Sequence, residues 1–250
     1  MSKSIKRTLA LAKRNLKELF RDPISLIFIF GLPLVMEILF YFLFHGKTSQ
    51  FDMKYLAPGI VVFSQSFIAL FVGFLLSIDR NTSFLTRLYV SKAKSHEFIL
   101  SYALAIIPLS LMQSILFFIV GGIIDSSIFC AGMILGILLS LVTAILFIGL
   151  GILIGTLCNE RAVGGVASII ITGQSLLSGM WFPVESVSGG MKVVMEVLPF
   201  RNATLLIQNM ILGVNDTFDD FIKPLLIVIA YTIIVFVIAI LLFKKKMKER

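Results

Sequence analysis

Residues able to do chemistry are few in this chain. Glu37 stands inside the apolar run GLPLVMEILFYFLF, where an ionised carboxylate is costly and an acid is a functional hypothesis by default. Three readings stay open for it: a hydrogen bond between helices, the lining of a polar path, or an aqueous edge. Standing alone, it lacks the paired acids and bases of a proton relay. Ser64 and Gln65 in a second apolar run, and Gln174, Ser175 and Ser178 in another, are further polar groups of this kind; they suit inter-helix hydrogen bonding or a substrate path. Neither His45 nor His96 has partners at metal-ligand spacing. Cys130 and Cys158 make neither a disulfide framework nor a zinc quartet, and no G-x-x-x-x-G-K-[ST] phosphate cradle occurs. These residues predict a chain that performs no bond chemistry and holds no metal or cofactor.

The elements that position these groups are set by composition. Of 250 residues, 58% are hydrophobic and 14% charged, with a mean hydropathy of +1.01. A soluble globule of this size could not clothe its exterior with such material, and disorder is excluded by the same hydrophobicity. Six runs have the length of a membrane span: Ile24–Phe44, Leu56–Ile78, Phe98–Ile124, Ile128–Leu157, Val163–Phe182 and Phe221–Phe243. The first is too long for the apolar core of a signal peptide and no A-x-A-like site follows, so it is expected to stay as a helix. The net charge of +8 reports orientation rather than nucleic-acid binding. Of the 22 Lys and Arg, only Lys47, Lys54, Lys192, Arg201 and Lys223 fall on one side. The basic side, which carries both termini, is therefore expected to be cytoplasmic. On this topology Cys130 and Cys158 lie near opposite membrane faces, too far apart to bond.

Three further segments are amphipathic. From Lys3 to Phe20 the apolar residues Ile5, Leu9, Ala12, Leu16 and Leu19 recur at helical spacing, with Arg14, Lys17 and other basic residues on the opposite face. That describes a helix in the membrane interface, held by anionic lipid or also laid against a cytoplasmic partner. Asp22-Pro23 stops it and opens the first span. The loop DRNTSFLTRLYVSKAKSHE at 79–97 sets Phe84, Leu85, Leu88, Tyr89 and Val90 in basic surroundings, either as a helix that docks on another protein or as a partly inserted surface segment. In the segment 183–220, Val184, Val187, Met191, Val194, Met195 and Leu198 fall at helical spacing before Pro199, and a second apolar helix begins at Ala203–Leu212. Two short helices dipping into the outer leaflet fit this pattern, with Trp181 and Phe182-Pro183 as an interface anchor.

Taken in order, KELFRDPISLIFIFGLPLVMEILFYFLF at 17–44, YLAPGIVVFSQSFIALFVG at 55–73, DRNTSFLTRLYVSKAKSHEFIL at 79–100 and GMWFPVESVSGGMKVVMEVLPFRNA at 179–203 resemble the ABC-2 type permeases, membrane subunits of ATP-binding-cassette exporters that include the daunorubicin-resistance type. The resemblance covers nearly the whole chain as one transmembrane domain, 1–250. It implies an all-α integral membrane fold of six transmembrane helices, with 3–20 as the connecting helix, a cytoplasmic coupling helix near Ser91–Phe98 and external re-entrant helices over 183–213. It implies contact with an ATPase subunit through Arg14, Lys17, Arg80, Phe84, Arg87, Ser91, Lys92, Lys94 and Glu97, although Ser91-Lys92 stands where many relatives carry a Thr-Pro-like pair. A cavity between two permease copies, lined by the second and fifth spans, would give Glu37, Ser64, Gln65, Gln174 and Ser178 a substrate path. Leu176 and Leu177, with Trp181 and Phe182, would form an outer gate. The implied partners are a separate ABC ATPase carrying ATP and Mg, a second or homologous permease, and membrane lipids, in the plasma membrane of a bacterial cell. The implied activity is ATP-driven export of an amphipathic drug, lipid or peptide. Export of a cell-surface polysaccharide, an ATP-independent channel or carrier, and a non-transporting scaffold stand as alternatives.

Overall fold

The architecture is that of a computed structural model, which describes residues 3–81, 95–214 and 218–248. Every regular element among them is helical. Helix α1 is Lys3–Arg21. After it Asp22 accepts the Ile24 N–H at 3.1 Å, capping the N-terminus of α2, Pro23–Phe44. Within α2 the segment Ile27–Gly31 widens to a π-helix, which leaves backbone carbonyls short of partners; Gln113 donates to the Ile29 carbonyl at 2.7 Å. The remaining helices are α3 (Met53–Asn81), α4 (Ser95–Ile124), α5 (Ala131–Leu157), α6 (Glu160–Leu177), α7 (Gly190–Val197), α8 (Pro199–Leu212) and α9 (Lys223–Lys248), the last entered through a π turn at Phe218–Ile222.

Five of these, α2, α3, α4, α5 and α9, are long and apolar enough to cross a membrane. The run expected as the fifth span forms α6, which at 18 residues is long enough but is less apolar than these five. It opens with Glu160-Arg161, carries Gln174 and Ser175, and ends at Leu177 rather than Phe182. At 1.5 Å per residue it reaches roughly 27 Å. The helix stops because Gly179 takes a positive φ of 71°, a conformation that favours glycine, so Trp181 and Phe182 lie beyond it. The fourth run likewise begins later than Ile128, because Ser126–Ile128 makes a 3-10 turn.

Helix α3 is the axis of the molecule: 83% of its apolar window is buried, against 17% for α2 and α9. Its closest neighbour is α5. Gly151 and Gly155 of α5 face it so tightly that a Cβ at either would stand 2.6 Å from the Ala69 carbonyl oxygen or 2.7 Å from that of Gly73. Small residues four apart permit this approach of backbones in a membrane. The two free cysteines flank α5, whose 27 residues hold them about 40 Å apart. Stacking of Phe98 on Phe243, centroids 5.5 Å apart, brings the end of α9 beside the start of α4. α1, the C-terminal ends of α3, α5 and α9, and the start of α4 thus share one pole, called the basic pole below.

Helix α1 packs by only part of the stripe of its apolar residues, together with two polar ones. Thr8, Ala12, Asn15 and Leu19 are buried, whereas Ile5 and Leu9 are 49% and 46% exposed. Polar anchors, described next, turn the helix by about one position and leave Ile5 and Leu9 facing outward.

The segment expected as two short external helices contains α7 and α8. Gly189, with φ 68°, keeps Val184 and Val187 out of α7. Pro199 occupies the first turn of α8, so this helix starts four residues before Ala203. Gly213, at φ 73°, ends it.

Candidate functional site

The densest set of charged contacts lies at the basic pole. Arg14 of α1 grips Asp79 of α3 with both guanidinium nitrogens, at 2.9 and 2.6 Å, and also meets Glu18 at 2.8 Å. Asp79 is 2% exposed and accepts a further bond from the Tyr102 hydroxyl of α4. Partial burial opposes the Arg14 charge, but the hydrogen bonds and charge of Asp79, aided by Glu18, outweigh it and hold the guanidinium above its ordinary range. Next to Arg14, Asn15 donates to Ser101 of α4 at 3.3 Å. Near the start of α1, Arg7 pairs with Glu97 at 3.1 Å and Ser4 donates to the same carboxylate. Glu97 is as buried as Asp79.

Arg80, next in the chain, reaches the end of α5. Its Nη1 donates to the carbonyls of Gly155 at 2.5 Å and Cys158 at 3.3 Å, and to that of Thr156. A cation there satisfies orphan carbonyls and opposes the helix dipole. The two ends of the 82–94 segment are therefore fixed: Asp79 and Arg80 tie its entrance to α1, α4 and α5, and Glu97 ties its exit to α1.

Of the residues expected to contact an ATPase, Arg14, Arg80 and Glu97 come together in this cluster, and Lys17 is exposed one turn from Arg14. Phe84, Arg87, Ser91, Lys92 and Lys94 lie outside the described residues. Sequence reading overlooked Asp79, Tyr102, Asn15 and Ser101. An acid closing an apolar run opposite an arginine-rich helix was the available signal for Asp79; the others carry none outside the three-dimensional structure.

The polar groups of the apolar core divide into two kinds. Gln65 donates to the Ser140 carbonyl of α5 at 2.8 Å and accepts from Thr143 at 2.8 Å, while Ser114 of α4 meets the Ser140 hydroxyl at 2.6 Å. Ser64 turns to its own helix, at the Val61 carbonyl. These bonds tie α3, α4 and α5 together. Glu37 and Gln174 are also fully buried, yet neither carboxylate oxygen of Glu37 nor either end of the Gln174 amide has a hydrogen-bond partner among the described residues. The Glu37 carboxyl lies against Gly121 of α4, beside Met53 and Ala57 of α3.

Opposite the basic pole, Trp181 donates its indole N–H to Ser175 at 2.6 Å and meets Phe40 edge-on, centroids 4.7 Å apart, with Phe63 at 6.3 Å. Ser178 is buried and its hydroxyl accepts from the Met180 N–H at 3.3 Å, shaping the turn that carries Trp181. Leu176 is exposed, while Leu177, Trp181 and Phe182 are half-buried. Among the described residues no group of three or more His, Cys, Asp or Glu could hold a metal ion.

In comparison with known proteins, the model of the family described as ABC-2 type transporter matches residues 6–212, from α1 to the end of α8. No curated protein matches the chain.

Proposed function

The chain belongs to the ABC-2 type transporter family, a family of multi-pass membrane subunits of ABC transporters that work in general with an ABC ATPase, and on that footing we propose that it is the permease of an ATP-driven exporter of amphipathic compounds. Hydrolysis would take place on a separate ATPase subunit, which would hold ATP and Mg; this chain would contribute helices, not bond chemistry. Two permease copies would face each other. With α6 crossing as a sixth span and both termini in the cytoplasm, the basic pole would face the ATPase in the plasma membrane of a bacterial cell.

The observation that carries this reading is the fastening of both ends of the 82–94 segment by α1, through Arg14–Asp79 and Arg7–Glu97. A docking element must pass force on without hinging at its ends, and paired buried carboxylates supply that stiffness. ATP binding would draw the basic poles of two copies together and tip α3 and α6 outward. Glu37 and Gln174, buried with no hydrogen-bond partner among the described residues, are the groups best suited to meet substrate polar atoms when the core opens. Trp181, Phe182, Leu176 and Leu177 would then close the outer end. Substrate binding must in turn alter nucleotide binding on the partner, because coupling is reciprocal.

The test is extraction under mild conditions followed by identification of what accompanies the chain. An ABC ATPase is expected, released by charge reversal at Arg87, Lys92 and Lys94 while the membrane fold persists. A chain that comes out with no ATPase contradicts the proposal.

A further inference from the structure

Where α1 meets the first turn of α2, a cavity of about 440 Å³ opens against the last turns of α3. Its wall is aromatic, Phe71 and Phe74, and its rim carries Glu18, Asp22 and Asp79 against Arg14. Three carboxylates face one guanidinium. The basic residues Lys13, Lys17 and Arg21 line an adjoining groove on α1 that shares Arg14 and Glu18 with the cavity. Two of the three acids are engaged by the fold: Asp79 by Arg14 and Tyr102, and Asp22 by the Ile24 N–H and the Ser25 hydroxyl. Glu18 gives one oxygen to Arg14, while the other is buried without a hydrogen-bond partner among the described residues.

We propose that this cavity is an intake site for amphipathic cations, with the positive centre at Glu18 and the apolar body on Phe71 and Phe74. Aromatic faces and a carboxylate with an open acceptor both favour a poorly hydrated cation, and an apolar pocket with a few converging polar groups is the usual form of a small-molecule site. Depth supports the assignment. The cavity sits where the amphipathic helix gives way to the first apolar run, the level at which a membrane-partitioned cation holds its charge. The site deepens the permease reading, on which it depends only for where the bound compound goes next; binding itself needs neither nucleotide nor partner.

The test uses the full chain in maltoside micelles, with tetraphenylphosphonium and its anionic isostere tetraphenylborate as probes. The phosphonium is expected to bind at least about fivefold more tightly than the borate. Glu18→Gln should weaken phosphonium binding by about fivefold, one exposed-to-half-buried charge interaction, and Ile78→Trp, which adds volume at the wall without removing a contact, should abolish it. Dodecyltrimethylammonium and dodecylphosphocholine then separate the sources of such a cation. Displacement by the first alone assigns the cavity to a free cationic solute, and displacement by both assigns it to the ammonium of a lipid headgroup as well. Equal binding of the two probes, no displacement by either surfactant, or unchanged affinity in both variants overturns the proposal. Because no ATPase enters the measurement, such a failure leaves the permease reading standing, and loss of the ATPase partner would leave the cavity standing.

Discussion

The basic pole and the apolar core treat buried acids in opposite ways. Asp79 and Glu97 lie at the pole with cations and hydroxyls from neighbouring helices in contact, whereas Glu37 is equally buried beside Gly121, Met53 and Ala57 with no hydrogen bond among the described residues. A partnered carboxylate fastens helices; an unpartnered one gives the fold nothing and is retained at its expense. On the proposed function, the contrast would separate the part of the molecule that transmits force from the part that meets a substrate.

The largest expected effect is at the pole. Asp79→Ala removes the acceptor for Arg14 and Tyr102 together and should cost about 2–3 kcal/mol, below the full loss for a buried pair because Arg14 keeps some water. Thermal unfolding in detergent measures it, and an unchanged midpoint would show that α1 is not held by this pair. The core should answer in the other direction. Glu37→Leu replaces an unsatisfied group with an apolar one and should raise stability by about 1 kcal/mol while lowering transport of an amphipathic substrate. A destabilised Glu37→Leu would mean that the carboxyl has a partner, and the contrast would fall. Smaller again, Arg7→Ala should cost about 0.5 kcal/mol, since this arginine is more than a third exposed.

The smallest effect is a pH response outside the spans. Asp125, between α4 and α5, accepts the Ser127 N–H at 3.0 Å, and that bond, outweighing partial burial, holds its carboxyl below the usual carboxylate range. A depressed value means that the stabilisation is present above the unfolded value of about 3.9 and is lost as pH falls through the folded one. The protection of the Ser127 amide against exchange, taken relative to its intrinsic rate at each pH, should therefore fall on acidification below about pH 4, and Asp125→Asn should remove the dependence.

Five of the six apolar runs were legible from composition, because span length and hydropathy are local properties. What was not legible depends on contacts between distant residues. Helix α1 shows this: its apolar residues gave the helix, but that Thr8 and Asn15 face the protein depends on Ser101, Asp79 and Glu97, which fix the rotation. Gly179 ended α6 early through a positive φ that no periodicity announces. Gln65 and Glu37 looked alike as polar residues in apolar runs; only the position of Ser140 and Thr143 on α5 distinguishes the bonded one from the unbonded one.

The coupling role of the pole is tested most directly by ATP hydrolysis in the complex of this chain with the ATPase that accompanies it, with and without an amphipathic compound, for the native chain and for Asp79→Asn. Hydrolysis that rises with the compound in the native complex and fails to rise in the variant, with the ATPase still bound, is the predicted result. An equal rise in both would contradict the account.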